Sequence, residues 1–191
     1  KMKKYMNLIG RNARKASLEK INTKIKNKVL KKYASLLNQQ ENSILKANEK
    51  DVKFAQKKRL NKNLIDRLTI DQKKLGNIRN TIKKIIKLKD PIDNTLAKWK
   101  RPNGLKIQKV SIPIGVIGVI YESRPNVTSD VASLCFKSGN VAILKGGSEA
   151  INTNKILVKL FRKALKENKV NENFIQFIDS KNRKVVDFML S

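Results

Sequence analysis

The feature that most constrains the fold is a change in hydrophobic periodicity at Ile114. Beyond it, the apolar runs "IGVIGVI", "VAILK" and "FIQFI" have the length and β-branched content of buried strands. Helical patterns separate and follow them, in "SDVASLCFKS", "EAINTNKILVKLFRKALKEN" and "RKVVDFML". Strands that alternate with helices are typical of a parallel sheet with right-handed crossovers. The sequence therefore predicts an α/β fold with a parallel sheet in residues 113–191.

Residues 1–92 carry helical patterns instead. In "KINTKIKNKVLKKYASLL" apolar residues recur about every four positions, and "DQKKLGNIRNTIKKIIKL" repeats the pattern until Asp90-Pro91 ends it. Thr69 or Asp71 is a candidate cap for the second helix. This stretch offers no constellation suited to chemistry, so we interpret it as a helical scaffold.

Residues 93–112 connect the two regions. The turn signal Pro102-Asn103-Gly104 lies between two segments of β-branched or alternating residues, which predicts a β-hairpin. Because a two-stranded ribbon is marginal alone, it must pack on something, and Trp99 suits either core filling or a subunit contact. We interpret the hairpin as an oligomerisation element and expect the full-length protein to form a homo-oligomer.

The formal net charge of +29 invites a nucleic-acid interpretation. Only nine of the 44 basic residues are arginine, and the chain also has 21 asparagines and 21 isoleucines. Lys, Asn and Ile have A/T-rich codons, whereas recognition of phosphates and bases favours Arg. Residues 113–160 carry five basic and three acidic side chains, a net charge of only +2. We therefore place most lysines on solvated helix faces and expect no specific nucleic-acid partner.

Composition also limits the chemistry. The chain has no histidine and a single cysteine, Cys135, so zinc hydrolysis and any Ser–His or Cys–His pair are excluded within it. We expect no metal site. The helical spacing around Cys135 predicts a thiol that is buried against the sheet and inert. With no bilayer-length apolar run and no signal-peptide pattern, we expect no membrane association and a cytoplasmic location.

Two polar loops follow the first and second predicted strands, "YESRPN" and "KGGSEA". Both fall at the carboxyl edge of the sheet, where ligands of such folds bind. In Lys145–Glu149, glycines allow close approach of the backbone, a lysine suits phosphate or ribose, and a carboxylate suits ribose hydroxyls. The segment is neither the G-x-G-x-x-G fingerprint nor a P-loop, and Glu149 is also explained as an acid at a helix N-terminus.

Several segments of the sequence resemble a known protein family. The segment "VSIPIGVIGVIYESRPNVTSDVASLCFKSGNVAILKGGSEAINTN", with "YMNLIGRNARKAS" and "RPNGL", closely resembles the N-terminal half of the gamma-glutamyl phosphate reductase family, also called glutamate-5-semialdehyde dehydrogenases. That family lies within the aldehyde dehydrogenase superfamily. The resemblance covers essentially this whole chain but less than half of the family's length. It implies that residues 113–191 are the first half of a Rossmann-like NADP-binding domain, with the catalytic domain absent from this sequence.

The resemblance implies reduction of L-glutamyl 5-phosphate by NADPH to glutamate 5-semialdehyde and phosphate, in proline biosynthesis. A cysteine thiolate would displace phosphate to give a thioester, and hydride would then release the aldehyde. The family's nucleophile belongs to the missing half, so we expect the chain to be inactive alone. It would be a fragment or one piece of a split gene.

The resemblance also assigns roles to residues. Asn126 matches the superfamily asparagine whose amide helps to form the oxyanion hole, although residue chemistry alone favours a turn residue. Arg124 would attract the acyl phosphate or the substrate carboxylate, or else brace the loop by an ion pair with Glu122. The expected cofactor-binding residues are Lys145, Gly146, Gly147, Ser148 and Glu149.

Two alternatives of other classes remain open. The chain could be a non-catalytic module that binds a nucleotide or another protein. A basic nucleic-acid-binding protein is least favoured, because aromatic residues do not interleave with the basic ones.

Overall fold

The computed structural model describes residues 2–190, which form eight α-helices and five strands. The helices are α1 (Met2–Ser17), α2 (Thr23–Gln39), α3 (Glu41–Lys57), α4 (Lys62–Leu68), α5 (Gln72–Lys87), α6 (Pro125–Lys137), α7 (Ile151–Glu167) and α8 (Lys184–Leu190). The strands are β1 (Thr95–Lys100), β2 (Lys106–Val110), β3 (Val116–Ile120), β4 (Val141–Lys145) and β5 (Ile175–Phe177). Single 3₁₀ turns precede α7 (Ser148–Ala150) and β5 (Glu172–Phe174).

The strands form two separate sheets. β1 and β2 pair antiparallel as the predicted hairpin, in which Trp99 lies opposite Ile107. β3, β4 and β5 form a parallel sheet in that order, with Val116 opposite Val141 and Ala142 opposite Ile175. The predicted α/β architecture is confirmed, with β4 between its two neighbours and β3 at one edge.

The core joins the N-terminal helices to this sheet. The ring of Tyr33 on α2 lies 4.6 Å from that of Phe161 on α7, between ring centroids. Phe136 on α6 makes edge contacts with Phe161 at 5.8 Å and with Phe174 at 5.5 Å. Burial of these large side chains is a main source of stability. The division into segments 1–92, 93–112 and 113–191 stays a prediction.

The apolar stripes predicted for the scaffold are confirmed. Val29, Leu30, Tyr33, Leu36 and Leu37 of α2 are buried, as are Leu75, Ile78, Ile82 and Ile85 of α5. Of the two candidate caps for α5, the structure uses Asp71, whose carboxylate accepts a hydrogen bond from Lys74 N at 2.7 Å. These helices therefore form because each presents one apolar face to the shared core.

The structure differs from two of the predictions made from the sequence. The first parallel strand is not wholly buried, because it is an edge strand, and Ile120 is 47% exposed. The helix predicted from Ser129 begins earlier, at Pro125. Proline is favoured at the first helical position, since it has no N–H to satisfy and its φ angle suits a helix. Pro125 and Asn126 are therefore helical residues and not part of the preceding loop.

Among residues 2–190, no helix has both the length and the apolar composition that a bilayer span requires. The same residues contain no group of three or more His, Cys, Asp or Glu side chains placed to hold a metal ion.

Candidate functional site

The two polar loops meet at the carboxyl edge of the parallel sheet, as predicted. The parallel register places Ile120 at the end of β3 opposite Lys145 at the end of β4. Just beyond, Tyr121 N donates a hydrogen bond to Lys145 O at 3.1 Å, so the pairing continues into the first loop. Residues 121–124 and 146–150 therefore leave the sheet side by side.

Ser123 and Glu149 connect these loops. Ser123 Oγ donates a hydrogen bond to Glu149 Oε2 at 2.6 Å, and Ser148 Oγ donates to Glu149 Oε1 at 3.1 Å. Burial raises the pKa of Glu149, but these bonds, its own backbone N–H and the charge of Arg183 outweigh burial and lower it. Glu149 is thus an ionised acceptor at neutral pH, and a carboxylate still has lone pairs for further donors.

The loop glycines are held against other parts of the chain. A Cβ atom on Gly146 would collide with Asn154 Nδ2, and one on Gly147 would collide with Ser123 Oγ. Packing within the chain therefore favours glycine at both positions. Their contact with a cofactor stays a prediction.

Lys145 does not extend into solvent. Its side chain is 9% exposed, and Nζ donates a hydrogen bond to Gly146 O at 2.8 Å. Burial lowers the pKa of Lys145, and the nearby Glu149 carboxylate partly opposes that shift. To reach a phosphate or ribose oxygen, the ammonium group would have to leave the Gly146 carbonyl.

Arg124 and Asn126 lie at the start of α6. Arg124 directly precedes the first helical residue, and Asn126 is exposed in the first turn. Both line a cavity of about 550 Å³ between α6 and the α4–α5 segment, which we call the α6 cavity. A second cavity of about 440 Å³ is lined by Ser123, Gly147 and Glu149. Arg124 lines both cavities, so it links the predicted oxyanion residue to the predicted cofactor loop.

Arg67 of α4 also lines both cavities. Its Nη1 lies 3.9 Å from Glu122 Oε2, whereas Arg124 meets Glu122 through the backbone, Arg124 N donating to Glu122 O at 2.8 Å. The structure therefore pairs the Glu122 carboxylate with Arg67 and gives Arg124 no such ion pair. Arg67 was not among the predicted site residues, because no local motif marks it within the helical scaffold.

Cys135 lines neither of the two cavities of the candidate site. It is 9% exposed on α6, and burial raises the pKa of its thiol. A buried thiol with little thiolate character is a poor nucleophile. The prediction of a buried thiol is confirmed.

No family model matches the sequence. Several curated proteins, however, are similar to it in sequence. A gamma-glutamyl phosphate reductase of Persephonella marina is 43% identical over 192 residues, covering all of this chain and 43% of that protein. One of Clostridium tetani is 44% identical over 191 residues, covering 99% of this chain and 45% of the relative. The chain belongs to the gamma-glutamyl phosphate reductase family. It spans less than half the length of these relatives.

Solved structures agree. The crystal structure of gamma-glutamyl phosphate reductase from Thermotoga maritima matches with a TM-score of 0.94 and 39% identity, over 97% of this chain and 45% of that one. The enzyme from Saccharomyces cerevisiae matches with a TM-score of 0.86 and 32% identity, over 93% of this chain and 47% of that one. A probable aldehyde dehydrogenase from Listeria monocytogenes, at 13% identity and a TM-score of 0.68, shares the fold. The aldehyde-dehydrogenase-like fold is thus confirmed.

Proposed function

We propose that this chain is the amino-terminal part of an NADPH-dependent reductase that converts L-glutamyl 5-phosphate to L-glutamate 5-semialdehyde and phosphate. The observation that carries the proposal is the placement of Asn126 and Arg124 on one cavity, in a chain 43% identical to a gamma-glutamyl phosphate reductase. An amide donor and a guanidinium side by side suit an acyl phosphate, which presents a carbonyl oxygen beside an anion.

Asn126 would stabilise the negative charge that develops on the substrate's carbonyl oxygen. Its carboxamide interacts with the Asp130 carboxylate one turn along α6. Burial raises the pKa of Asp130, and this hydrogen bond offsets only part of that shift. A carboxylate accepts hydrogen bonds only, so this contact orients the NH₂ group toward Asp130. One N–H is then held by Asp130 while the second remains for the substrate oxygen. The positive end of the α6 dipole adds to the same effect.

Arg124 would attract the acyl phosphate or the substrate carboxylate. Its planar guanidinium suits either anion, because two parallel N–H groups meet two oxygens. The Arg67 guanidinium, 56% exposed and 3.9 Å from Glu122, lies on the same cavity and reinforces the positive charge.

The second cavity would hold the ribose end of NADPH, which supplies the hydride when bound. The residues fit that group in chemical type, since the ionised Glu149 accepts hydrogen bonds from hydroxyl groups and Gly147 brings the backbone to the cavity wall. Lys145 fits only after it releases the Gly146 carbonyl. Glu149 and the loop backbone are therefore the principal contacts in this proposal.

The nucleophilic cysteine would come from outside this chain, and Cys135 would have no part in the chemistry. The 191-residue chain is then inactive alone. The hairpin would form subunit contacts in the complete enzyme, which we place in the cytoplasm.

A chimera tests the proposal. Residues 2–190 replace the matching part of the Thermotoga maritima enzyme, and NADPH formation is followed with L-glutamate 5-semialdehyde, phosphate and NADP⁺ as reactants. We expect turnover by the chimera and none by the isolated chain. Asn126→Ala in the chimera should lower kcat about a hundredfold or more, the scale of one oxyanion donor. Cys135→Ser is the control and should keep most of the activity.

Two outcomes count against the proposal. Turnover by the isolated chain that disappears with Cys135→Ser would place the nucleophile here. A folded chimera that binds NADP⁺ without turnover would favour the non-catalytic nucleotide-binding alternative.

A further inference from the structure

Asp130 has a carboxylate oxygen without a hydrogen-bond partner in the part of the chain that the structure describes. It lies on α6 one turn after Asn126, and both line the α6 cavity. Its Oδ1 atom is buried and has no hydrogen-bond partner among residues 2–190. Burial raises the pKa of Asp130, and the interaction with Asn126 offsets part of that shift. A buried acceptor without a partner is costly, so a rotation of the Asp130 carboxylate that brought this oxygen to a ligand's donor in the cavity would be favoured.

The other charged groups of the α6 cavity are mainly positive. Arg67, Arg124 and Lys74 all line it, beside the exposed carboxylate of Asp66. Lys74 Nζ donates hydrogen bonds to Asp66 O at 2.8 Å and Thr69 O at 2.7 Å, which leaves one of its three N–H groups. One partly buried carboxylate among several cationic groups suits a ligand that carries both an ammonium and a carboxylate.

We propose that Asp130 binds the α-ammonium group of an amino-acid substrate whose reacting carbonyl lies at Asn126, while the cavity's cationic side chains bind the α-carboxylate. The inference rests on the proposed function and names the residue that selects an amino acid over the corresponding simple acid. Asp130 is in this sense a specificity-determining residue.

The spacing along α6 matches such a substrate. Residues four apart on a helix share a face and are separated by about 6 Å along its axis. In a glutamyl group, four bonds separate the α-nitrogen from the side-chain carbonyl carbon, roughly 5 Å when extended. An ammonium at Asp130 therefore places the carbonyl within reach of Asn126.

Binding of two small acids tests the inference. L-glutamate and glutarate differ only by the ammonium group, and each is titrated into the 191-residue chain while amide chemical shifts are recorded by NMR. The basic lining alone would favour glutarate, which carries one more net negative charge. We expect L-glutamate to bind at least about tenfold more tightly, because a site built around a polar group rejects the analogue without it. Asp130→Asn should remove that preference.

Asp66→Asn is the matched control, since Asp66 lines the same cavity but is exposed. It should leave the preference unchanged. The inference is overturned if Asp130→Asn keeps the preference, if the unmodified chain binds glutarate as well as L-glutamate, or if it binds neither acid. The last two outcomes are measured on the unmodified chain, so they do not depend on whether a variant folds. This experiment measures binding and does not depend on turnover. If the chimera shows no NADPH-dependent turnover but L-glutamate is still preferred through Asp130, the proposed function fails and this inference stands.

Discussion

Ser123 Oγ donates a hydrogen bond to Glu149 Oε2 across 2.6 Å, and this bond connects the loops that follow β3 and β4. Ser123 is 7% exposed, so water competes little for the contact. Gly147 lies against both partners, since a Cβ there would also come within 3.0 Å of Glu149 Oε2 and 3.1 Å of Ser123 N. The two loops of the candidate site are therefore held as one unit.

Gly147→Ala should destabilise the protein by about 1–3 kcal/mol, the usual cost of overpacking a filled site. The new methyl group must displace Ser123 Oγ and so break its bond to Glu149. The free energy of unfolding, measured by urea denaturation, checks this expectation.

Gly10→Ala is the matched control, because Gly10 lies inside α1 and a Cβ there meets no atom within 4 Å. It should stabilise the chain by up to about 1 kcal/mol, since alanine is the better helix former. A Gly147→Ala protein as stable as the unmodified chain would show that the loops separate easily.

Much of the fold could be predicted because its signals are local. Strand and helix periodicities each show within a dozen residues, and the rule for parallel sheets then places both polar loops at one edge. The start of α6 was also within reach of local rules, but Arg124-Pro125 suits an extended dipeptide as well as a helix start. No signal within the segment itself decides between the two.

The rest of the site depends on contacts between distant parts of the chain. Arg67 reaches the site from a helix that carries no motif. The Oδ1 atom of Asp130 is buried, and it lacks a hydrogen-bond partner among residues 2–190, because of how distant segments pack around it. The burial of Lys145 was missed for a similar reason, since a lysine after a strand is usually exposed. No pattern within one segment encodes these relationships.

Lys145→Ala and Glu149→Ala, introduced into the chimera, should raise the KM for NADPH more than they lower kcat. Both residues are proposed to bind the cofactor without touching the reacting atoms, so their loss weakens ground state and transition state alike. Steady-state kinetics at varied NADPH concentrations measure the effect. Lys159→Ala, which removes an exposed lysine of α7, is the control. An unchanged KM in both loop variants would contradict the cofactor assignment.

Asp51→Ala should destabilise the protein by about 3 kcal/mol. The buried Asp51 carboxylate accepts hydrogen bonds from Thr153 N at 2.8 Å and Thr153 Oγ1 at 2.7 Å, and from Asn152 N and Nδ2 at 3.2 and 2.8 Å. Its loss leaves the first turn of α7 with unpaired donors. Asp71→Ala removes an exposed cap with one bond to Lys74 N and should cost only about 1 kcal/mol. Equal losses in the two variants, compared by thermal unfolding, would contradict a structural role for the buried network.

Asp90 should make stability depend on pH in the acid range. Burial raises its pKa, but bonds from Lys26 Nζ at 2.8 Å, Ile92 N at 3.0 Å and Thr23 Oγ1 at 2.8 Å outweigh burial and lower it. A carboxylate with a lowered folded pKa stabilises fully above its unfolded value of about 4, and that stability is lost as the pH falls through the folded value. Asp90→Asn should therefore flatten the fall in melting temperature between about pH 5 and pH 3.

Glu49→Gln is the control for that measurement. Lys53 of the same helix also lowers the pKa of Glu49, but this ion pair is exposed, and solvent screening makes its contribution to stability small. The profile of this variant should follow that of the unmodified chain. An Asp90→Asn profile as steep as the original would assign the acid sensitivity to other carboxylates.

Cys135 should react slowly with thiol reagents in the folded protein. Burial raises the pKa of the thiol, which leaves little thiolate at neutral pH, and the 9% exposure of the side chain limits access. Labelling by a chromogenic disulfide reagent should accelerate on unfolding in urea. Leu134→Cys combined with Cys135→Ser is the matched control, because Leu134 is 47% exposed on the same helix and should react quickly without denaturant. If native Cys135 reacted as fast as that neighbour, its thiol would be accessible and ionised, and the argument against it as a nucleophile would fail.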